Sequence, residues 1–121
     1  MEQIIQSSIL IIETLAASAN LYTIVLEEMG NRVIVITKGA EAVRYLQNNT
    51  PDVLIVDLYM IQVAGTNLLT YMRSHDRFQA TKTILLTADS QMSNHFKLFV
   101  DAVLPKPLNP DLLAQTLLSL M

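Results

Sequence analysis

A single carboxylate, Asp57, ends the apolar run Val53-Leu54-Ile55-Val56 and leads into a segment that closes on Gly65. The run shows no polar alternation, which suits a strand covered on both faces of a parallel sheet, and Pro51 and Asp52 mark its entry. An acid at the C-terminal end of such a strand emerges where open α/β sheets bind their ligands. The plainer alternative is an acid that caps the following turn. Other apolar runs also end in polar residues: Ile9–Ile12 in Glu13 and Thr14, Ile84–Leu86 in Thr87, and Ala102–Leu104 just before Lys106. Gathered on one edge, two carboxylates, a hydroxyl and an ammonium attract a hard cation such as Mg2+. Asp57 could then attack a phosphoryl group as a carboxylate nucleophile, with Lys106 offsetting charge. Pro105 and Pro107 flank that lysine and impose an extended or cis geometry that a generic surface lysine does not need.

The surrounding elements decide whether these groups meet. Ile9–Ile12 reads as a first strand, and Leu15–Met29 as an amphipathic helix with Leu21, Ile24, Val25 and Met29 at helical spacing, closed by Gly30. Val33–Ile36 is a second strand, and Glu41–Gln47 a helix with Ala42, Val43 and Leu46 on one face. After the central strand and the loop to Gly65, a helix from about Thr66 to Ser74 turns Leu68, Leu69 and Met72 inward. Ile84–Thr87 is the fourth strand. The segment Asp89–Ala102 carries a short fourth helix through Phe96, Phe99 and Val100, and Ala102–Leu104 is the fifth strand. Asn109 caps a last helix, with Pro110 and Asp111 in its first turn and Leu112, Leu113, Leu117 and Leu120 behind them.

Strands alternating with helices over short links predict an α/β fold, a doubly wound five-stranded parallel sheet of order 2-1-3-4-5 in a flavodoxin-like three-layer sandwich. One domain over residues 1–121 accommodates it. In that order the topology reverses between strands one and three, so Glu13, Thr14 and Asp57 line one crevice, with Thr87 and Lys106 on the same edge.

Composition narrows the function. The formal charge is −3 and the eight lysines and arginines form no run, which disfavours nucleic acid and membrane surfaces as partners. Without cysteine there is neither a disulfide nor a thiolate metal site. No apolar run reaches membrane-spanning length, and MEQIIQSS lacks the pattern of a signal peptide, so a cytoplasmic protein is expected. His75 and His95 have no acidic companions at ligand spacing, and the six methionines read as core filler.

The pieces ILIIET, PDVLIVDLYM, Gly65, ILLTA and LPKP together resemble the receiver domains of two-component response regulators, including chemotaxis regulators. The likeness runs from Ile9 to about Ala88 and resumes at Asp101. It implies that Asp57 is the phosphoacceptor of a phosphorelay, that Glu13 is an acidic metal-site residue, and that the backbone carbonyl of Tyr59 is a Mg2+ ligand. It further implies that Thr87 binds a phosphoryl oxygen after switching, that Ala88 leaves room for it, that Lys106 contacts the phosphate, and that the bond before Pro107 is cis. The expected partners are a sensor histidine kinase or phosphotransfer protein. A homodimer or output partner is expected on the face of the predicted fourth helix, fifth strand and last helix. The chain is expected to be a phosphoprotein switch, not an enzyme.

Several positions depart from the family pattern. Thr14 stands where a second acid normally ligates the metal, so the acidic pair is degenerate and Mg2+ binding is expected to be weak. Ile61 replaces a common proline, Val103 replaces the aromatic residue of strand five, and Tyr59 is bulky for a position that influences water access. The segment between Thr87 and Lys106 is about three residues short, roughly one helical turn. These features motivate the alternative of a pseudo-receiver, an interaction module independent of phosphorylation. A flavodoxin-like cofactor site is disfavoured because ETLAASAN lacks a phosphate-wrapping loop. A haloacid-dehalogenase-type phosphatase is disfavoured because Leu58 and Tyr59 follow Asp57, where an Asp-x-Asp pattern is required.

Overall fold

A computed structural model describes residues 7–63, 67–89, 94 and 96–121. Five parallel strands, β1 (Ser8–Ile12), β2 (Arg32–Ile36), β3 (Val53–Asp57), β4 (Lys82–Thr87) and β5 (Ala102–Pro105), form one sheet in the order β2-β1-β3-β4-β5. The helices are α1 (Ala16–Glu28), α2 (Gly39–Asn48), α3 (Leu58–Val63), α4 (Asn67–Arg73) and α5 (Pro110–Leu120). Short 3-10 turns cover Asp76–Phe78 and Lys97–Phe99.

The apolar runs of β1, β3 and β4 are buried because alternate residues feed two cores. Leu10, Ile12, Leu54, Val56 and Leu85 pack with Ala42, Leu46, Leu68 and Met72 of α2 and α4. Ile9, Ile11, Val53, Ile55, Ile84 and Leu86 pack with Tyr22 and Leu26 of α1 and Leu113 and Leu117 of α5. Helix ends follow local chemistry. Gly30, at φ 92°, closes α1 in a Schellman arrangement: its N–H donates to Glu27 O at 2.9 Å, and Asn31 N–H to Leu26 O at 3.2 Å. The Asn109 carboxamide oxygen accepts from the N–H groups of Asp111 and Leu112 at 2.7 and 3.2 Å, with Pro110 in the first turn of α5.

The structure corrects three expectations. In α1 the buried stripe is Ala19, Tyr22 and Leu26, while Leu21 and Ile24 are exposed. Apolar residues cover well over half of the helix surface, so its periodicity supports either stripe, and packing of Tyr22 against the sheet decides. The segment after Asp57, expected as a loop, begins with α3, whose Leu58 and Met60 are buried. Leu, Met and Gln favour helix, and the Asp57 carboxylate caps its start. In the expected fourth helix Phe96 is buried but Phe99 is exposed in a 3-10 turn, since one tight turn cannot present a long stripe. Residues 90–93 and 95, which include His95, lie outside the described residues, as do Gly65 and Thr66.

Candidate functional site

The C-terminal ends of β1, β3 and β5 bring Glu13, Asp57 and Lys106 together. Asp57 is the last residue of β3 and is 6% exposed. Its Oδ1 accepts the N–H of Tyr59 at 2.7 Å, so it does cap the next turn, and its Oδ2 pairs with the Lys106 ammonium. Glu13 is fully buried just past β1. Its N–H donates to Ile36 O at 3.2 Å, its Oε1 accepts from Leu15 N–H at 3.1 Å, and its Oε2 lies 3.1 Å from Lys106 Nζ. One ammonium therefore bridges two carboxylates contributed by different strands, and each carboxylate keeps its second oxygen on a backbone amide. Such charge-assisted bonds are what allow two acids to be buried side by side.

Lys106 is aimed from behind by its own backbone. Its N–H donates to Thr87 O at 3.0 Å, which extends the β4–β5 pairing past Pro105, and its peptide bond to Pro107 is cis. Thr87 is buried at the end of β4, and its hydroxyl accepts the Asp89 N–H at 2.9 Å and donates to Asp89 O at 3.3 Å. A cleft of about 290 Å³ opens between Asp57, Tyr59, Thr87, Ala88, Asp89 and Lys106. Thr14 and Tyr59 are exposed beside the site. Asp89 was not anticipated as a site residue. The Thr-x-Asp spacing after a strand, typical of a hydroxyl-closed turn, is the signal that could have found it.

Next to the cleft, and sharing Ala88 and Lys106 with it, is a second groove of about 400 Å³ lined by Leu15, Ser18, Leu21 and Tyr22 of the α1 region and by Pro107 and Leu108.

Burial pulls the Lys106 ammonium down, but its hydrogen bonds to Asp57 and Glu13, with their negative charge, outweigh that and hold it above the ordinary lysine value of 10.5. Burial raises the Tyr22 phenol above 10.0, opposed by the nearby Lys106 charge. Both groups have folded values above their unfolded ones, so their stabilisation is full at neutral pH. It starts to fall as pH passes 10.0 and 10.5 and is gone once the folded values are exceeded. Denaturant midpoints measured from neutral to strongly alkaline pH are expected to hold level and then drop. Tyr22→Phe should remove the tyrosine part of that alkaline loss.

Among the described residues no three His, Cys, Asp or Glu groups gather as a metal site. The donor set that does converge, Glu13 and Asp57, nevertheless fits Mg2+, which takes one or two carboxylates together with water and phosphate oxygens. That both carboxylates already converge on a cation, Lys106, is the observation that shows the fit.

With this geometry in view, the chain matches the family model described as response regulator receiver domain over residues 9–118. It belongs to that family, and is thus a receiver domain of the two-component signalling class. The response regulator Rre1 of Synechocystis sp. is 34% identical over 90 residues, a match that covers 71% of this chain and 39% of that protein. The chain thus spans well under half the length of that curated relative. The chemotaxis response regulator CheY4 of Vibrio cholerae superposes with a TM-score of 0.86 at 22% identity, covering 97% of this chain and 100% of its own. The receiver domain of a sensor histidine kinase from Pseudomonas aeruginosa, solved with a magnesium ion coordinated in its active-site cleft, gives 0.80 at 22% identity, covering 93% and 95%. At those identities the two structures speak for the fold alone.

Proposed function

We propose that this receiver takes a phosphoryl group on Asp57 and passes the signal to an output partner. The observation that carries the reading is the Lys106 bridge, which ties the fully buried Glu13 to Asp57 at a cleft that Asp57 and Lys106 line together with Thr87 and Ala88. An Asp57 carboxylate oxygen attacks phosphorus and forms an acyl-phosphate P–O bond. The donor's P–N or P–O bond breaks, and its electron pair leaves with the donor. Lys106 offsets the charge that the phosphoryl oxygens bring, and Thr87 and Ala88 bound the space that they enter. When bound, Mg2+ would be held by Glu13, Asp57 and the Tyr59 carbonyl and would supply charge neutralisation to the phosphoryl oxygens. Thr14 adds a neutral oxygen at most.

The donor is a sensor histidine kinase or phosphotransfer protein of the cytoplasm, and the apolar groove along α1 gives such a partner a surface beside the cleft. The output face is that of the turn before β5, of β5 and of α5, where Leu98, Phe99 and Leu112 are exposed. No helix among the described residues is long and apolar enough to cross a membrane. In this reading the protein acts as a phosphorylated switch rather than as an enzyme. The phosphorylation-independent alternative loses ground because the two carboxylates and Lys106 are kept together despite Thr14.

The test is incubation with a small-molecule phosphodonor and Mg2+, followed by intact mass and peptide mapping. One added phosphoryl group at Asp57 is expected. No uptake at any Mg2+ concentration, or uptake elsewhere, overturns the reading.

A further inference from the structure

We propose that β2 is a self-association edge, at which two copies of the chain join their sheets by antiparallel pairing of Arg32–Ile36 about Ile34. The strand is the outermost of the sheet beside β1, and among the described residues no strand pairs with its other side. Natural edge strands are normally defended by charge, proline or a bulge. Here the run from Val33 to Ile36 is wholly aliphatic and β-branched, with Ile34 44% and Val35 37% exposed.

The backbone specifies a register. Arg32 N–H donates to Ser7 O at 2.9 Å and Ile36 O accepts from Glu13 N–H at 3.2 Å, so these two residues turn their backbone groups toward β1. Alternation along a strand then turns the N–H and C=O groups of Val33 and Val35 to the open side. A two-fold axis at Ile34 sets Val33 opposite Val35 of the second copy, and each such pair exchanges both of its hydrogen bonds. Ile34 meets its own counterpart at the non-bonded position, where side chains approach most closely.

Charge agrees with this register. Within the strand Arg32 falls opposite Ile36, so no like charges face each other there. The flank of α1 that turns away from the groove of Ser18 and Leu21 carries, at helical spacing, Ala16, Asn20, Thr23 and Glu27. None of these is a large apolar residue, and Ala16 and Thr23 are small, which leaves room for the second copy's helix. Both the reactive cleft and the groove stay open, because they lie at the sheet's C-terminal edge and on the other flank of α1.

Sedimentation velocity of the full chain over a concentration series tests this. Wild type should pass from monomer to dimer as concentration rises. Ile34→Lys and Ile34→Glu should each remain monomeric, since each puts like charges face to face on the axis. An equal mixture of the two should recover the dimer. Amide exchange gives a readout free of substitutions: Val33 and Val35 should gain protection at dimer concentrations while Ile34, already bonded toward β1, should not change. A wild type that stays monomeric, a dimer that survives either charge, a lysine and glutamate mixture that fails to associate, or Val33 and Val35 amides indifferent to dilution would each overturn the proposal.

Discussion

Lys106→Met should tighten Mg2+ binding while cutting phosphoryl uptake at Asp57 by about a hundredfold, the scale seen when one preorganised charge-stabilising donor is removed. The two effects point in opposite directions for one geometric reason. The ammonium occupies the point where Glu13 Oε2 and Asp57 Oδ2 converge, so a metal that needs these oxygens competes with it. Without the lysine, two buried carboxylates repel each other and a divalent cation becomes their only strong counterion. Calorimetry should therefore show a lower Kd for Mg2+, and Mg2+ should raise the Tm of the variant more than that of wild type. Uptake falls because the charge of the arriving phosphoryl group no longer meets an ammonium in the cleft. Unchanged or weaker Mg2+ binding would show that lysine and metal do not share those oxygens. Wild-type uptake rates in the variant would remove Lys106 from the transfer step. Asp57→Asn supplies the baseline, with no uptake at any Mg2+ concentration.

The bridge also shows what the sequence reveals and what it leaves hidden. Asp57, Glu13 and Lys106 were legible as neighbours because each ends an apolar run, and the parallel order 2-1-3-4-5 puts the ends of such runs on one edge. That Lys106 touches both acids at once was not legible, because it depends on the Thr87–Lys106 backbone bond and the side-chain reach beyond β5. The same division holds elsewhere. Leu113 and Leu117 of α5 were readable as core because their helix has a clear cap and one apolar stripe. In α1 two overlapping stripes compete, and only the sheet beneath decides that Tyr22 goes in and Ile24 stays out. Helix α3 escaped notice because it is short and starts on the carboxylate that the sequence offers first as a chemical group. Asp89 holds the Thr87 hydroxyl with backbone atoms, so the Thr-x-Asp spacing marks a turn there and not a chemical group.

Thr14→Asp should move the Mg2+ dependence of phosphoryl uptake to lower concentration by at least about tenfold, equivalent to about 1.4 kcal/mol of metal binding. Thr14 follows Glu13 at the rim of the site and is exposed, so an aspartate there adds charge without the burial cost that Glu13 meets at full burial. At the Lys106 bridge, Glu13 and Asp57 set two carboxylates against one ammonium. A third acid changes the local balance from one excess negative charge to two, which is what a strongly hydrated divalent ion requires to give up part of its water shell. The substitution and Lys106→Met act on the same balance from opposite sides, so their effects on Mg2+ affinity should combine less than additively. They separate on uptake: Thr14→Asp keeps the ammonium and should raise the rate at limiting Mg2+, whereas Lys106→Met lowers it even at saturation. Calorimetric Mg2+ titrations of the wild type, both single variants and the double variant, read beside intact mass, distinguish the two roles. If wild type already takes up phosphate fast at low Mg2+ and Thr14→Asp changes nothing, the threonine is an adequate neighbour to the metal and the charge of Glu13 and Asp57 suffices.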